Sequence, residues 1–550
     1  MTAALYYHPE AYTTNGPQLM GRNAAGASFL RGFLTYSRAA EFWVQVSKLE
    51  YARHFAQQAQ AMGRPEPVKA VDQTRLRGLM QAGLVYHPTP GIGEHAFHRA
   101  AYGHGAWSLC GITHTTSSTR VMDALVALTT APVQPWDAVI CTSTAVKSNV
   151  EQLLQAQIHY LQDRLDIRRL VLPQLPVIPL GIHTQDFQFT DSQKIAARQI
   201  LKVDEQTLVV LFMGRLSFHA KAHPLAMYQA LEAAAQATGQ SVVLVECGWH
   251  GNEPIAQAYA DAARLACPNI RVITLDGREA ADRQTAWASA DIFCSLSDNI
   301  QETFGLTPIE AMAAGLPVVV SDWNGYKDTI RDRIDGFRIP TLMPSAGLGG
   351  DLALRHALEV DTYDMYCGNT CSLIAVDVQA ATQAFIELFQ SPDLRRQMGE
   401  AGQQRAKAHY DWAVIIPQYE ELWKQLTEMR QAHAKDLKPL QIPWPARMDP
   451  FQAFAAYSTQ RLTPQTMLSL VEAEPATALQ RVLAYRQLAM VNFAKAVLPT
   501  EAEIQAVLTT AAQGSHPAAE LIQAIPLERQ PLVFRSLAWL VKLGILQVSA

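Results

Sequence analysis

Short continuous apolar runs alternate along most of the chain with longer stretches whose apolar positions recur at helical spacing. Leu5–His8, Ala82–His87, Ser108–Ile112, Trp136–Val146, Thr207–Met213, Ser241–Cys247, Ile270–Leu275, Ala290–Leu296 and Val318–Val320 read as strands. Most are apolar throughout rather than alternating, which predicts parallel strands covered on both faces. Helical spacing falls at about Ala25–Tyr36, Glu50–Ala61, Val146–Asp163, Val378–Phe389, Asp393–Ala408 and Trp412–Met429. Buried strands separated by helices predict an α/β chain built on open parallel sheets. The pattern changes after a linker containing Lys435, Lys438, Pro439, Pro443 and Pro445. From there to Ala550 the spacing is mainly helical: Glu501–Thr510, Pro517–Ile525 and Pro526–Leu543, then Gly544 and the short strand Ile545–Val548. Three helices, a glycine and a strand predict a winged-helix-like extension.

The stretch Ser297–Val320 carries the most chemistry. It reads as loop, helix, turn and strand. Thr307 is placed as N-cap, Pro308 at the first helical position and Glu310 as a capping-box carboxylate. Gly315 ends the helix and Pro317 prevents its resumption. Gly305 has no side chain, so a ligand can approach its backbone. The amides of Leu306 and Thr307 are then free donors at a positive helix end, which suits a phosphate. Glu302 and Glu310 flank that seat. An acid beside a bound phosphate either repels it or serves another purpose, such as holding sugar hydroxyls. The competing reading is a capped core helix with one loop acid.

Two cations, Arg215 and Lys221, follow the strand Thr207–Met213, six residues apart. A guanidinium can bind two oxygens at once, so the pair suits a diphosphate; solvated loop cations are the alternative. His114 lies just past an apolar segment, at the carboxyl edge where ligands bind in open α/β sheets. Near the N-terminus a loop with Gly16 and Gly21 joins the first strand to the first helix. His95 and His98 lack an acidic or third histidine neighbour in sequence and are taken as core or surface residues.

Glutamate, seven residues and glutamate around Phe304-Gly305 resembles the signature of the retaining family 4 glycosyltransferases of the GT-B fold. The resemblance spans about residues 1–432 and is best between 207 and 340. It implies two Rossmann-like domains facing a cleft: residues 1–180 on the acceptor side and 181–410 on the nucleotide-sugar side. A crossing helix at 411–432, a linker at 433–449 and the extension 450–550 follow. It implies hinges near residues 180 and 410 and a metal-independent hexosyl transfer from a nucleotide-diphosphate sugar, with no other cofactor. Arg215, Lys221, Gly305, Leu306 and Thr307 would hold the diphosphate, Glu310 the ribose and Glu302 the donor sugar. His114 would contact that sugar from the other domain, and the Gly16–Gly21 loop would approach from the acceptor side. The chain departs from the family at Leu180, where asparagine is common, and at Ala222, where glycine is usual. Residues 341–370 lengthen a connection that is commonly short, and loops of that length are often functional. Two other readings share the fold: a scaffold acting through the extension, and a sugar-nucleotide epimerase or phosphorylase. The acceptor, whether saccharide, lipid or protein, is not legible.

Composition narrows the partners. With 550 residues, 49% apolar and 17% charged, the chain buries several cores and is not disordered. A net charge of −5 argues against a general nucleic-acid binder. The last helix carries only Arg535 and Lys542, so protein contact or self-association through 450–550 is favoured over DNA binding. Seven cysteines, an odd and scattered set, fit a reducing cytoplasm better than a disulfide framework, and Cys367 and Cys371 alone do not make a zinc site. Neither a signal peptide nor a membrane-spanning helix is expected; peripheral membrane association stays open.

Overall fold

Two six-stranded parallel sheets organise residues up to Trp444. In the first, the strands run in the spatial order Val68–Asp72, Phe42–Val46, Ala4–Tyr6, Leu84–Tyr86, Ser108–Ile112, Ala138–Ile140. The second repeats that order with Arg271–Asp276, Val242–Gly248, Leu208–Met213, Ile292–Ser295, Val318–Ser321, Gly336–Ile339. In both, the first strand in sequence lies beside the fourth. That is the doubly wound arrangement, whose topological switch point lies between those two strands. The structure is a computed structural model and describes residues 3–13, 21–438 and 440–549.

The apolar runs form the sheets because each is covered on both faces. Leu208–Met213 and Val242–Gly248 are buried along their whole length. Two boundaries differ from those expected: the first strand closes at Tyr6, and the first helix starts at Gly21.

The chain crosses between the sheets twice, and the crossings lie side by side. The Ile182 amide donates to the Tyr410 carbonyl (2.8 Å), and the Trp412 amide donates back to Ile182 (3.1 Å). Asp411 secures the pair by accepting from the Thr184 hydroxyl at 2.6 Å. Trp412 opens the helix Trp412–His433, which packs on the helix Gly21–Tyr36 and on the strand Ser108–Ile112. Its buried ring leaves no room for side chains on either flank. A Cβ on Gly181 would come within 2.6 Å of it, and one on Gly32 within 2.5 Å.

The segment 341–370, expected as an insertion that lengthens a short connection, contains two helices, Gly350–Ala357 and Tyr363–Cys371. Its base is closed by antiparallel pairing of Thr341–Leu342 with Ala375–Val376.

Residues Pro445–Ala550 form a separate compact unit. Its sheet is antiparallel, with Met467–Leu470 between His516–Pro517 and Leu546–Val548. Helices Pro475–Arg486, Glu501–Ala511 and Gln530–Lys542 cover a core containing Leu468, Val482, Ile504, Leu508 and Leu537. The expected helix Pro517–Ile525 is reduced to the short 3-10 turn Glu520–Ile522, because Pro517 is drawn into the sheet. The central strand precedes the helices, whereas a winged helix was expected to place its strands after them. Gly544, at φ 66°, turns the last helix into the final strand.

Candidate functional site

The carboxyl ends of Leu208–Met213 and Ile292–Ser295 flank the second switch point, where an open α/β sheet binds ligands. Arg215 and Lys221 follow the first of these strands, and the loop Leu296–Gly305 follows the second. The fold therefore brings residues some eighty positions apart to one place. The Lys221 ammonium forms an ion pair with the Glu302 carboxylate. The Arg215 guanidinium donates to the Gln301 side-chain carbonyl at 3.3 Å and to the Ala220 carbonyl at 3.1 Å. Asn299 braces the cation loop from below: its side-chain amide donates to the His219 carbonyl at 3.0 Å.

Burial would push the Glu302 carboxyl up, but the Lys221 ammonium and the amides of Phe304 and Thr303 hold it below its usual range. It is therefore an anion at neutral pH, although its side chain is only 9% exposed. Glu310 differs. Burial pushes its carboxyl up to about 7, against the pull of Arg283 and Lys221. Burial likewise raises Asp298 to about 7, opposed by the His223 amide, which donates to it at 3.3 Å.

The helix carrying Glu310 runs from Leu306 to Ala313. Its N-cap is Gly305, at φ 80° and ψ 91°, with no side-chain cap. The expected Thr307 cap and capping box do not form, because the turn enters the helix two residues earlier. Pro308 therefore lies at the third helical position, where its missing N–H still removes no helical bond. The amides of Leu306 and Thr307 are in the first turn. Gly305 is irreplaceable on two grounds: its φ favours glycine, and a Cβ there would fall 2.0 Å from the fully buried Tyr326 ring. Gly305→Ala is expected to cost on the order of 3 kcal/mol of stability. Denaturant unfolding checks this, and an unchanged midpoint would contradict the packing described.

The other domain reaches this loop directly. The Thr303 hydroxyl donates to the His114 carbonyl, so His114 stands next to the residue that follows Glu302. Ser143 Oγ donates to the Thr303 carbonyl at 2.9 Å, and the Asn324 side-chain amide donates to the Glu302 carbonyl. Asp328 receives the amide and hydroxyl of Thr144, both at 2.6 Å, at the N-terminus of the helix Thr144–Leu165. A carboxylate is favoured at that positive helix end. Glu302, Arg215, Lys221, Gly305 and His114 thus share one neighbourhood. Gly21 opens the first helix, and Gly16 lies outside the described residues.

Ser143, Thr303 and Asn324 were not singled out from sequence. Only Asn324 carried a local signal: asparagine before glycine tolerates the positive φ of 45° it adopts. His95 stacks on His87, with ring centroids 3.8 Å apart, and meets the His98 ring edge-on at 5.7 Å. Burial lowers the His95 imidazole to about 4. Among the described residues no three histidine, cysteine or carboxylate side chains are grouped to hold a metal ion. Among them, too, no helix is long and apolar enough to cross a membrane.

Residues 193–345, which include this site, match the family model described as glycosyl transferases group 1. The match is to this stretch, which holds much of the second doubly wound sheet and the residues gathered at its switch point. Among curated glycosyltransferases, the chain is 26% identical over 243 residues to the phosphatidyl-myo-inositol mannosyltransferase of Mycobacterium tuberculosis, covering 44% of this chain and 51% of that protein. It is 26% identical over 238 residues to the D-inositol 3-phosphate glycosyltransferase of Mycolicibacterium vanbaalenii, covering 41% and 50%. The chain thus spans about half the length of these curated relatives. Among solved structures, Anabaena HepE in complex with UDP aligns at TM-score 0.49 and 16% identity, covering 77% of this chain and all of that one.

Proposed function

We propose that this protein is a glycosyltransferase that moves a hexosyl group from a nucleotide-diphosphate sugar to an acceptor, with retention at the anomeric carbon and without a metal. The observation that carries this reading is the convergence of Arg215, Lys221 and Glu302 at the switch point beside the Gly305 helix start. When the bond from the sugar to the diphosphate breaks, its electron pair leaves with the phosphate oxygen. Two cations and the amides of Leu306 and Thr307 meet that growing charge, and electrostatic stabilisation there lowers the barrier. Glu302, an anion, accepts from sugar hydroxyls. Glu310 accepts from the ribose, and His114 faces the sugar from the first domain. Two named relatives act on inositol-containing acceptors, so inositol phosphates and phosphatidylinositol are the first acceptors to try.

The test is a screen of UDP-, GDP- and ADP-sugars that follows release of the nucleoside diphosphate. Turnover is expected with one donor class and is expected to persist in EDTA. No release with any donor would favour the scaffold reading, and release that requires free phosphate would indicate a phosphorylase.

Glu310 adds a pH dependence. Its carboxyl is half protonated near pH 7, and the ionised form is the better acceptor for ribose hydroxyls. Binding therefore releases a proton, and nucleoside-diphosphate affinity is expected to rise as pH goes from 6 to 8. Calorimetric titration at several pH values measures this. Glu310→Gln should flatten the profile; a wild-type profile that is already flat would remove Glu310 from the ribose site.

A further inference from the structure

We infer that Tyr363, at the head of the second helix of the 341–370 segment, is a positioning residue that latches the first domain to the diphosphate seat. This rests on the donor reading above for its consequence, though not for its geometry. The Tyr363 hydroxyl lies at the centre of a polar junction. It accepts from the Gln301 side-chain amide at 2.9 Å. It lies 3.1 Å from Ser117 Oγ and 3.2 Å from Thr115 Oγ1, in the hydroxyl-rich loop just after His114. The other end of the Gln301 amide receives Arg215 at 3.3 Å. One phenol thus links two first-domain hydroxyls to the guanidinium proposed to bind the diphosphate, through a single intervening side chain.

The helix that carries Tyr363 is built against the cation loop. Gly368 lets it approach His219, where a Cβ would lie 3.0 Å from the His219 Cβ, and the Cys371 thiol points to the His219 carbonyl at 3.8 Å. His219 belongs to the loop between Arg215 and Lys221. The preceding turn is stiffened by a two-bond pair from Arg355 to Asp361, at 2.9 and 2.7 Å. A second contact reaches the first domain one turn further on: His356 Nε2 lies 3.0 Å from Thr119 Oγ1, with its ring stacked on Tyr366 at 4.2 Å. The segment therefore grips residues 115–119 at two points while its back rests on the Arg215–Lys221 loop. Free of this grip, Gln301 and Arg215 would be held by the second domain alone, and closure would no longer order them.

Tyr363→Phe keeps the ring packing and deletes the junction. Two readouts separate the latch from the donor reading. Hydrogen exchange on the nucleotide-free protein reports the latch directly: amides of residues 115–119 and of 301–303 are both expected to exchange several-fold faster in the variant. Unchanged exchange in both loops would overturn the proposal whatever the protein binds. Nucleoside-diphosphate titration and donor kinetics report the consequence: donor KM is expected to rise about tenfold with kcat changed less than threefold. Gln301→Ala should produce the same KM rise, and the double variant should be no worse than either single one. Additive effects, or a loss confined to kcat, would also overturn it. Absence of nucleotide binding by the wild-type protein would instead count against the donor site and leave the exchange result to decide the latch.

Discussion

Glu302→Gln is expected to lower turnover by about 100- to 1,000-fold while the protein keeps its fold, the range observed when one preorganised electrostatic contact is removed from an active site. The side chain is nearly buried yet ionised, since Lys221 and two backbone amides outweigh the penalty of burial. Glutamine fills the same volume and can still receive the amides of Thr303 and Phe304. It removes only the negative charge, and with it the partner of the Lys221 ammonium. Lys221→Ala makes the complementary change: the Glu302 carboxylate then stays in a dry site without its cation, so both donor affinity and turnover should fall. The measurement is nucleoside-diphosphate release under saturating donor, with circular dichroism and unfolding midpoints as folding controls. If Glu302→Gln and Lys221→Ala both retain full turnover, the site assignment is wrong.

Arg99→Met is expected to destabilise the protein by about 3–5 kcal/mol, the usual consequence of stripping a buried charge of its partner. Arg99 and Asp137 are both wholly removed from solvent and joined through two bonds, at 2.5 and 2.8 Å. Asp137 also receives the amides of Leu109 at 2.9 Å and Gln134 at 2.7 Å, while Arg99 donates to the Trp107 carbonyl at 2.9 Å. The pair thus ties the helix Gly93–Ala100 to two neighbouring strands of the first sheet. Methionine matches the stem of arginine but leaves the buried carboxylate of Asp137 without its cation. Denaturant unfolding, followed through tryptophan fluorescence and circular dichroism, measures it. A loss below about 1 kcal/mol at pH 7 would mean that water reaches the pair.

Much of the second domain was legible from residue order. Strand, glycine, cation and helix are local features, and Gly305 with its two flanking carboxylates is a local string. The capping of the helix Leu306–Ala313 was misread for a physical reason. Thr307 and Glu310 have the composition of a capping box, but the backbone turns at Gly305 because the buried Tyr326 ring occupies the space a side chain would need. Propensity cannot register a neighbour twenty residues away. The helices of the 341–370 segment are not legible in its sequence, because Gly347, Gly349 and Gly350 suggest a loop and the helices bury few residues of their own. Their order comes from Arg355–Asp361 and from contacts with His219 and the hydroxyl loop, none of which the local pattern shows.

Sequence alone determined that this chain folds into alternating buried strands and helices, and that Glu302, Arg215, Lys221 and Gly305 are candidates for an anion site, since hydrophobic period, turn chemistry and charge are properties of neighbouring residues. Tertiary structure alone decided that Lys221 meets Glu302, that the first domain touches the same loop through His114 and Ser143, and that Tyr363 stands between them. Those contacts join positions up to about 250 residues apart. They arise from strand order and domain packing, which set the distance between side chains independently of their separation along the chain.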